Sequence, residues 1–244
     1  MTTGSPTDPG AAAVSGGPAA GVVDLLGLLA YAELIAFFRL AGHADLAPTL
    51  SAKGELAALA AVEYEHYRRV HERLTRLGVD PESAMEPFVG PLDAWHARTE
   101  PQSWLEGLVK AYVGDGIAGD FYRQVAESAD DDTRELVGGV VSENGRAEVI
   151  AARVREAVAD DPKLAGRLSL WARRLVGEAL SQAQVVAAQR VELAALLAGA
   201  GGRPAGGSEG AKGAGTSDLG AVSRLFARLT DAHTARLEAM GLSG

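Results

Sequence analysis

The chain has 244 residues, 47% of them hydrophobic, enough for one large or two small domains with a buried core. It contains no cysteine, which excludes disulfides and thiolate metal sites and leaves carboxylate and imidazole as the available metal ligands. A net charge of −9 argues against binding that relies on neutralising phosphates.

Residues 1–20 carry no Lys or Arg and no long apolar run, so they do not read as a secretory signal, and a disordered tail is expected. The next stretch, GVVDLLGLLAYAELIAFFRLA, approaches transmembrane length. Asp24 and Glu33 would each cost ~2.5–3.5 kcal/mol near a bilayer centre. It therefore reads as a buried helix, Val22 to Ala41, of a cytoplasmic protein without a membrane span. A turn at Ala47-Pro48 leads to a second helix, Ser51 to Leu77, with the inward stripe Leu56, Leu59, Ala60, Glu63, His66, Tyr67, Val70 and Leu74. Here an acid and a histidine three residues apart occupy positions that an unbroken apolar stripe would fill. Arg68, Arg69, Arg73 and Arg76 on this helix, and Arg173 with Arg174 later, read as solvated faces among neighbouring acids.

Residues 78–101, broken by Pro81, Pro87 and Pro91, read as a long crossover with a short helix at about Asp93 to Arg98. A third helix, Ser103 to Ser128, carries Trp104, Leu108, Tyr112, Asp115 and Tyr122 on one stripe. A fourth, Asp131 to Ala159, starts from the acids Asp130, Asp131 and Asp132 and buries Leu136, Val140, Glu143, Ile150 and Val154, with Arg146 on the same face. A fifth, Leu164 to Leu197, aligns Trp171, Leu175, Glu178, Gln182 and Val185. Residues 199–217 read as a Gly-rich flexible linker and 218–241 as an amphipathic helix with Leu229, His233, Leu237 and Met240 in its stripe. That last helix is too short of apolar area to stand alone. It docks on its own bundle or, in the sharper reading, pairs with a protein partner or a second subunit of a homodimer.

The acids form a pattern. Glu63-x-x-His66 projects both side chains from one helix face. Antiparallel helices rise equally away from their turn, so residues equidistant from it share a height. Glu33 and Glu63 are equidistant from Pro48, and Asp115 and Glu143 from Ala129, both in expected turns. Glu33, Glu63, Asp115 and Glu143 should therefore converge. Packed together without a cation, they would repel and raise one another's pKa values. One or two divalent ions would relieve this, and Fe(II) or Mn(II) suits mixed carboxylate and imidazole ligands.

The order Glu33, Glu63-x-x-His66, Asp115, Glu143, together with GDGIAGDFYRQ and LWARRLVGEALSQAQ, resembles the ferritin-like MiaE family of di-iron tRNA hydroxylases, especially its actinobacterial MiaE-like branch, over residues 22 to about 198. Low Lys and high Ala, Gly and Arg usage also suits a GC-rich genome. The resemblance implies an all-α fold: a ferritin-like four-helix bundle over residues 21–198 with a long crossover and a fifth helix, to which the C-terminal helix is tethered. It also implies a di-iron centre that activates O2 and hydroxylates the isopentenyl group of a modified adenosine in tRNA. By position, Glu33, Glu63 and His66 would hold one iron and Asp115 and Glu143 the other, with Glu63 and Glu143 as bridges.

The sequence departs from that pattern at position 146. Where a second histidine is expected it has Arg146, which is permanently charged and has no lone pair to donate. Arg146 could stand in for the second ion by pairing with Glu143, Asp115 or Glu178. A one-metal site or a metal-free ionic cluster thus competes with the full di-iron centre, as does a non-catalytic scaffold that recruits a partner through its C-terminal helix. Glu178 is the best additional ligand candidate, with a buried salt bridge as its alternative. His71 and His96 read as surface histidines and Glu65 as outward-facing, while Tyr64, Tyr67, Tyr112 and Tyr122 read first as core packing. No phosphate-cradling loop or Ser-His-Asp set supports a kinase or hydrolase.

Overall fold

A computed structural model of the protein describes residues 19–142, 146–201 and 214–243. Among them there is no strand. The helices are α1 (Ala20–His43), α2 (Leu50–Arg76), α3 (Pro81–Arg98), α4 (Trp104–Ala126), α5 (Asp131–Ser142), α6 (Arg146–Asp160), α7 (Pro162–Gln189), α8 (Val191–Gly201) and α9 (Ala214–Ala239), with a 3-10 turn at Ala44–Leu46. Helices α1 and α2 form one hairpin, and α4 with α5 and α6 forms the other. α3 joins them, giving the bundle-with-crossover topology expected from the acid spacing.

Side chains at the helix ends explain the boundaries. Thr49 accepts a hydrogen bond from the Ala52 amide at the start of α2, and Ser103 does so from Glu106 at the start of α4. Asp130 accepts from the amide and hydroxyl of Thr133 as α5 begins, and Asp161 accepts from the Lys163 amide at the head of α7. Beyond α2, Gly78 takes a φ of 73°, the left-handed conformation that lets the chain turn out of a helix.

The sequence of α1 looks like a membrane span because its first half is buried nearly all round. By length and mean hydropathy (1.9) the segment Ala20–Leu46 could cross a membrane, and half of its most apolar window is buried within the bundle. Every residue from Gly21 to Ala30 except Val23 is buried, against α2, α3, α4 and α8. Gly27 permits the closest of these approaches, since a Cβ there would run into the carbonyl of Ala84 on α3.

Two elements differ from the sequence reading. The crossover is helical from Pro81 to Arg98 rather than only at its end. Pro81 sits in the first turn below the capping Asp80, where proline fits. Pro87 and Pro91 lie inside the helix, where each would cost about 3 kcal/mol in isolation. Packing on α1 and α7 offsets that cost: Phe88 is fully buried, Tyr31 donates to Asp93 at 2.7 Å, and Trp95 donates to the Leu175 carbonyl at 3.3 Å. The fifth helix is also not continuous. It breaks at Arg190, whose φ and ψ of −119° and 79° separate α7 from α8. The Arg190 guanidinium pairs there with buried Asp24, through Nε to Oδ2 at 3.2 Å and a second contact from Nη2 to Oδ1.

α9 lies on its own bundle, against α4, α7 and α8. Leu229, His233, Leu237, Met240 and Leu242 are buried beneath it, Arg236 pairs with Asp120, and Arg228 donates to Gln124 at 2.7 Å. The tail expected at 1–20 and the linker expected at 199–217 fall mostly outside the described residues.

Candidate metal centre

Glu33 on α1 and Glu63 and His66 on α2 meet inside the first hairpin. Facing positions of antiparallel helices at equal height bring Glu33 across to Glu63, and the i, i+3 offset sets His66 beside them. His66 Nδ1 lies 3.3 Å from Glu33 Oε2 and 3.6 Å from Glu63 Oε2. One potential ligand atom from each residue lies within 4.8 Å of the others. Glu63 and His66 are 4% and 2% exposed, so bulk water cannot screen the two carboxylates.

Burial pushes the Glu33 carboxyl well above its ordinary range. The hydrogen bond with His66 pulls it back, while the hydrogen bond and charge of Glu63 push it further up. Two carboxyl groups this close repel when both are ionised, which favours a proton on one of them. A divalent cation can take that proton's place, and two carboxylates with one imidazole are the ligand set for iron or manganese. The residues present therefore fit such an ion.

Asp115 on α4 is partly buried and lines the same cavity as these three residues. Glu143 lies outside the described residues, and so does the side chain of Arg146, whose backbone opens α6. Glu178 does not line the cavity; its carboxylate is 3.5 Å from the exposed Arg98 of α3, a surface ion pair rather than the buried salt bridge offered as its alternative. Tyr122 lines the cavity near Glu33 and is fully buried. Burial, and then the Glu33 charge, hold its phenol protonated well beyond physiological pH. Glu65 is exposed and pairs with Arg68 at 3.0 Å.

The cavity has a volume of about 270 Å³ and mostly apolar walls, with Leu28, Ala32, Ile35, Ile117 and Phe121 among them. It draws its lining from both hydrophobic clusters of the core, one including Leu28 and Tyr122 and the other Leu40 and Ile117. Further along α1 it reaches a second polar group, formed by Arg39 and His43 of α1, His96 of α3 and Lys110 of α4.

This second group was not recognised in the sequence, and one of its members corrects the reading there. His96 was expected at the surface but is only 7% exposed. α3, read as mostly non-helical, carries it inward against α4. Burial, followed by the charges of Lys110 and Arg39, drives its pKa down to about 2. Lys110 is 4% exposed and donates to the backbone carbonyls of Thr99 at 2.7 Å and His96 at 3.5 Å, tying α4 to the C-terminal end of α3. Its ammonium also lies 4.9 Å from the Trp95 ring centre. A lone Lys between Val109 and Ala111, or a lone His near three prolines, has no partner at helical spacing to announce it.

A family model described as a ferritin-like domain of actinomycetes matches residues 18–200, which contain both polar groups of the cavity. No curated protein matches the chain. With a match over most of its length, a bundle without strands among the described residues and an inward Glu-x-x-His facing a second carboxylate, the chain belongs to the actinomycete ferritin-like domain family.

Proposed function

We propose that the protein is a metal-dependent oxidoreductase of the cytoplasm that binds iron, or manganese, through Glu33, Glu63 and His66 and hydroxylates an apolar group admitted to the cavity. One atom of O2 enters the C–H bond and the other leaves as water, with two electrons and two protons from an external reductant. The observation that carries this reading is the convergence of a buried carboxylate, a partly buried one and a buried imidazole within 4.8 Å, at the wall of a largely apolar cavity. Asp115, from the opposite hairpin, could contribute to a second ion, for which the MiaE-like resemblance also implies Glu143. Iron held there supplies the means of activating dioxygen.

The protein's own residues account for the rest. Leu28, Ala32, Ile35 and Phe121 hold an apolar group out of water beside the ligands. Tyr122, kept neutral, offers a phenolic proton next to Glu33. In its finer form the substrate is the prenyl group of a modified tRNA adenosine, as the resemblance to MiaE implies. The test is anaerobic loading with Fe(II) followed by exposure to O2. The reading requires oxidation of the bound iron, visible in the optical spectrum, at one or two ions per chain, and loss of that signal in Glu63→Ala. Substoichiometric iron that Glu63→Ala does not change would leave the alternative, a ferritin-like scaffold with a degenerate site.

A further inference from the structure

We propose that the Arg39, His43, His96 and Lys110 end of the cavity binds the carboxylate of a small apolar acid, whose hydrocarbon body lies along the cavity toward Glu33, Glu63 and His66. As a statement about substrate this rests on the metal reading above and stands in place of its prenyl-tRNA form; as a statement about binding it rests on neither.

Structural work accounts for Lys110, which ties down the end of α3, but not for its neighbours. His43 Nε2, His96 Nδ1 and Arg39 Nε are buried nitrogens without a hydrogen-bond partner. His43 and His96 are themselves 8% and 7% exposed, and all three residues line the cavity. Glu100 approaches without satisfying His43, its Oε1 lying 3.7 Å from Nε2. Buried polar atoms in native proteins are paired with few exceptions, so three orphans around one end of one cavity mark a place for a ligand atom.

The charge selects the ligand. Burial lowers the pKa of both histidines, with Lys110 adding to the effect, which leaves the imidazoles neutral near pH 7. Burial lowers Lys110 only to about 8, so it stays mainly protonated there. Lys110 and Arg39 carry one positive charge each, and Glu100, 3.5 Å from Arg39, removes one. The surplus is a single positive charge, which suits a monoanion rather than a phosphate dianion. A neutral imidazole also keeps one N–H to donate to a carboxylate oxygen.

The cavity sets the shape. Arg39 is six residues beyond Glu33 on α1, about 9 Å along the axis, and Lys110 precedes Asp115 on α4 by about 7.5 Å. Between the two polar groups the walls include Ala36, Leu92, Ala111 and Gly114, none of which offers a side-chain hydrogen bond. A medium-chain monocarboxylate places its head at one end and its methylenes at the other.

The test is calorimetric titration of the full-length, chelator-treated protein with octanoate, and with octanol as the uncharged control. The expected result is one octanoate per chain, bound at least tenfold more tightly than octanol, with at least a tenfold loss in Lys110→Met. Because Lys110 also holds α3, Arg39→Met serves as a second variant and should weaken octanoate severalfold while leaving octanol unchanged. Nitrogen-15 spectra of the imidazoles should show His43 and His96 shifting on titration and His71 still. Equal affinity for octanol and octanoate, or unmoved His43 and His96 signals, would overturn the proposal. Metal affinity, measured separately, reports only on the Glu33 end.

Discussion

The two polar groups of the cavity are both buried, yet they are stabilised in opposite ways. At one end the carboxylates of Glu33 and Glu63 face each other with His66 between them, two acids in one buried cluster. At the other, Lys110 and Arg39 crowd two neutral histidines, and Glu100 beside Arg39 offsets only one of the two positive charges. Like charges gathered out of water work against folding, so a ligand of opposite charge can relieve each end. The acidic end asks for a cation and the basic end for an anion. A cavity with this polarity can hold an oriented, amphipathic ligand with its apolar part at the metal site.

The comparison depends first on α3, which alone carries His96 and the cavity-lining Trp95. Phe88→Ala, at the fully buried centre of α3, should cost about 3–5 kcal/mol in chemical denaturation. A loss under about 1 kcal/mol would show that α3 is not part of the core and that the basic end is not fixed.

Next comes the pair that sets the break between α7 and α8. Arg190→Ala leaves Asp24 buried without its partner. The expected destabilisation is about 2–3 kcal/mol, below the ~3–5 kcal/mol of a fully buried pair because Arg190 is itself partly exposed. Asp24→Asn with Arg190→Ala should recover part of the loss, and strict additivity of the two would show that they do not interact.

The acid response separates the two ends most cleanly. His96 has a folded pKa far below its unfolded value, so between about pH 6.5 and 2 the unfolded chain binds a proton that the folded one refuses. Stability therefore falls as pH drops below 6.5, by about 2 kcal/mol at pH 5 for an imidazole that stays neutral. His43 and His233, also lowered, act in the same direction. Glu33 acts oppositely. Its folded pKa is raised, so the metal-free native state takes up a proton before the unfolded chain does and gains stability as pH falls toward 4.5. In metal-free protein, His96→Leu should flatten the loss on acidification and Glu33→Gln should steepen it. Melting curves from pH 7.5 to 5 decide, and identical slopes in both variants would remove the contrast.

The acidic end was legible in the sequence because its information is local. Glu63 and His66 share a helix face by spacing alone, and the height of Glu33 follows from one short turn. The basic end draws single residues from α1, α3 and α4, each unremarkable in its own helix. Its burial depends on α3 being helical through Pro87 and Pro91, which packing decides and propensity argues against. The break at Arg190 was hidden for a similar reason. No glycine or proline marks it, and its partner Asp24 lies 166 residues away. The docking of α9 was legible as a need to bury an apolar face, while its contacts with Asp120 and Gln124 were not.

The central claim is that Glu33, Glu63 and His66 hold a metal ion, and equilibrium binding of Mn(II) followed by electron paramagnetic resonance tests it most directly. Wild-type protein should remove at least one Mn(II) per chain from solution, with Glu63→Ala and His66→Ala each weakening this at least a hundredfold while remaining helical. Uptake unchanged in both variants, or no uptake by the wild type in either Mn(II) or anaerobic Fe(II), would contradict it.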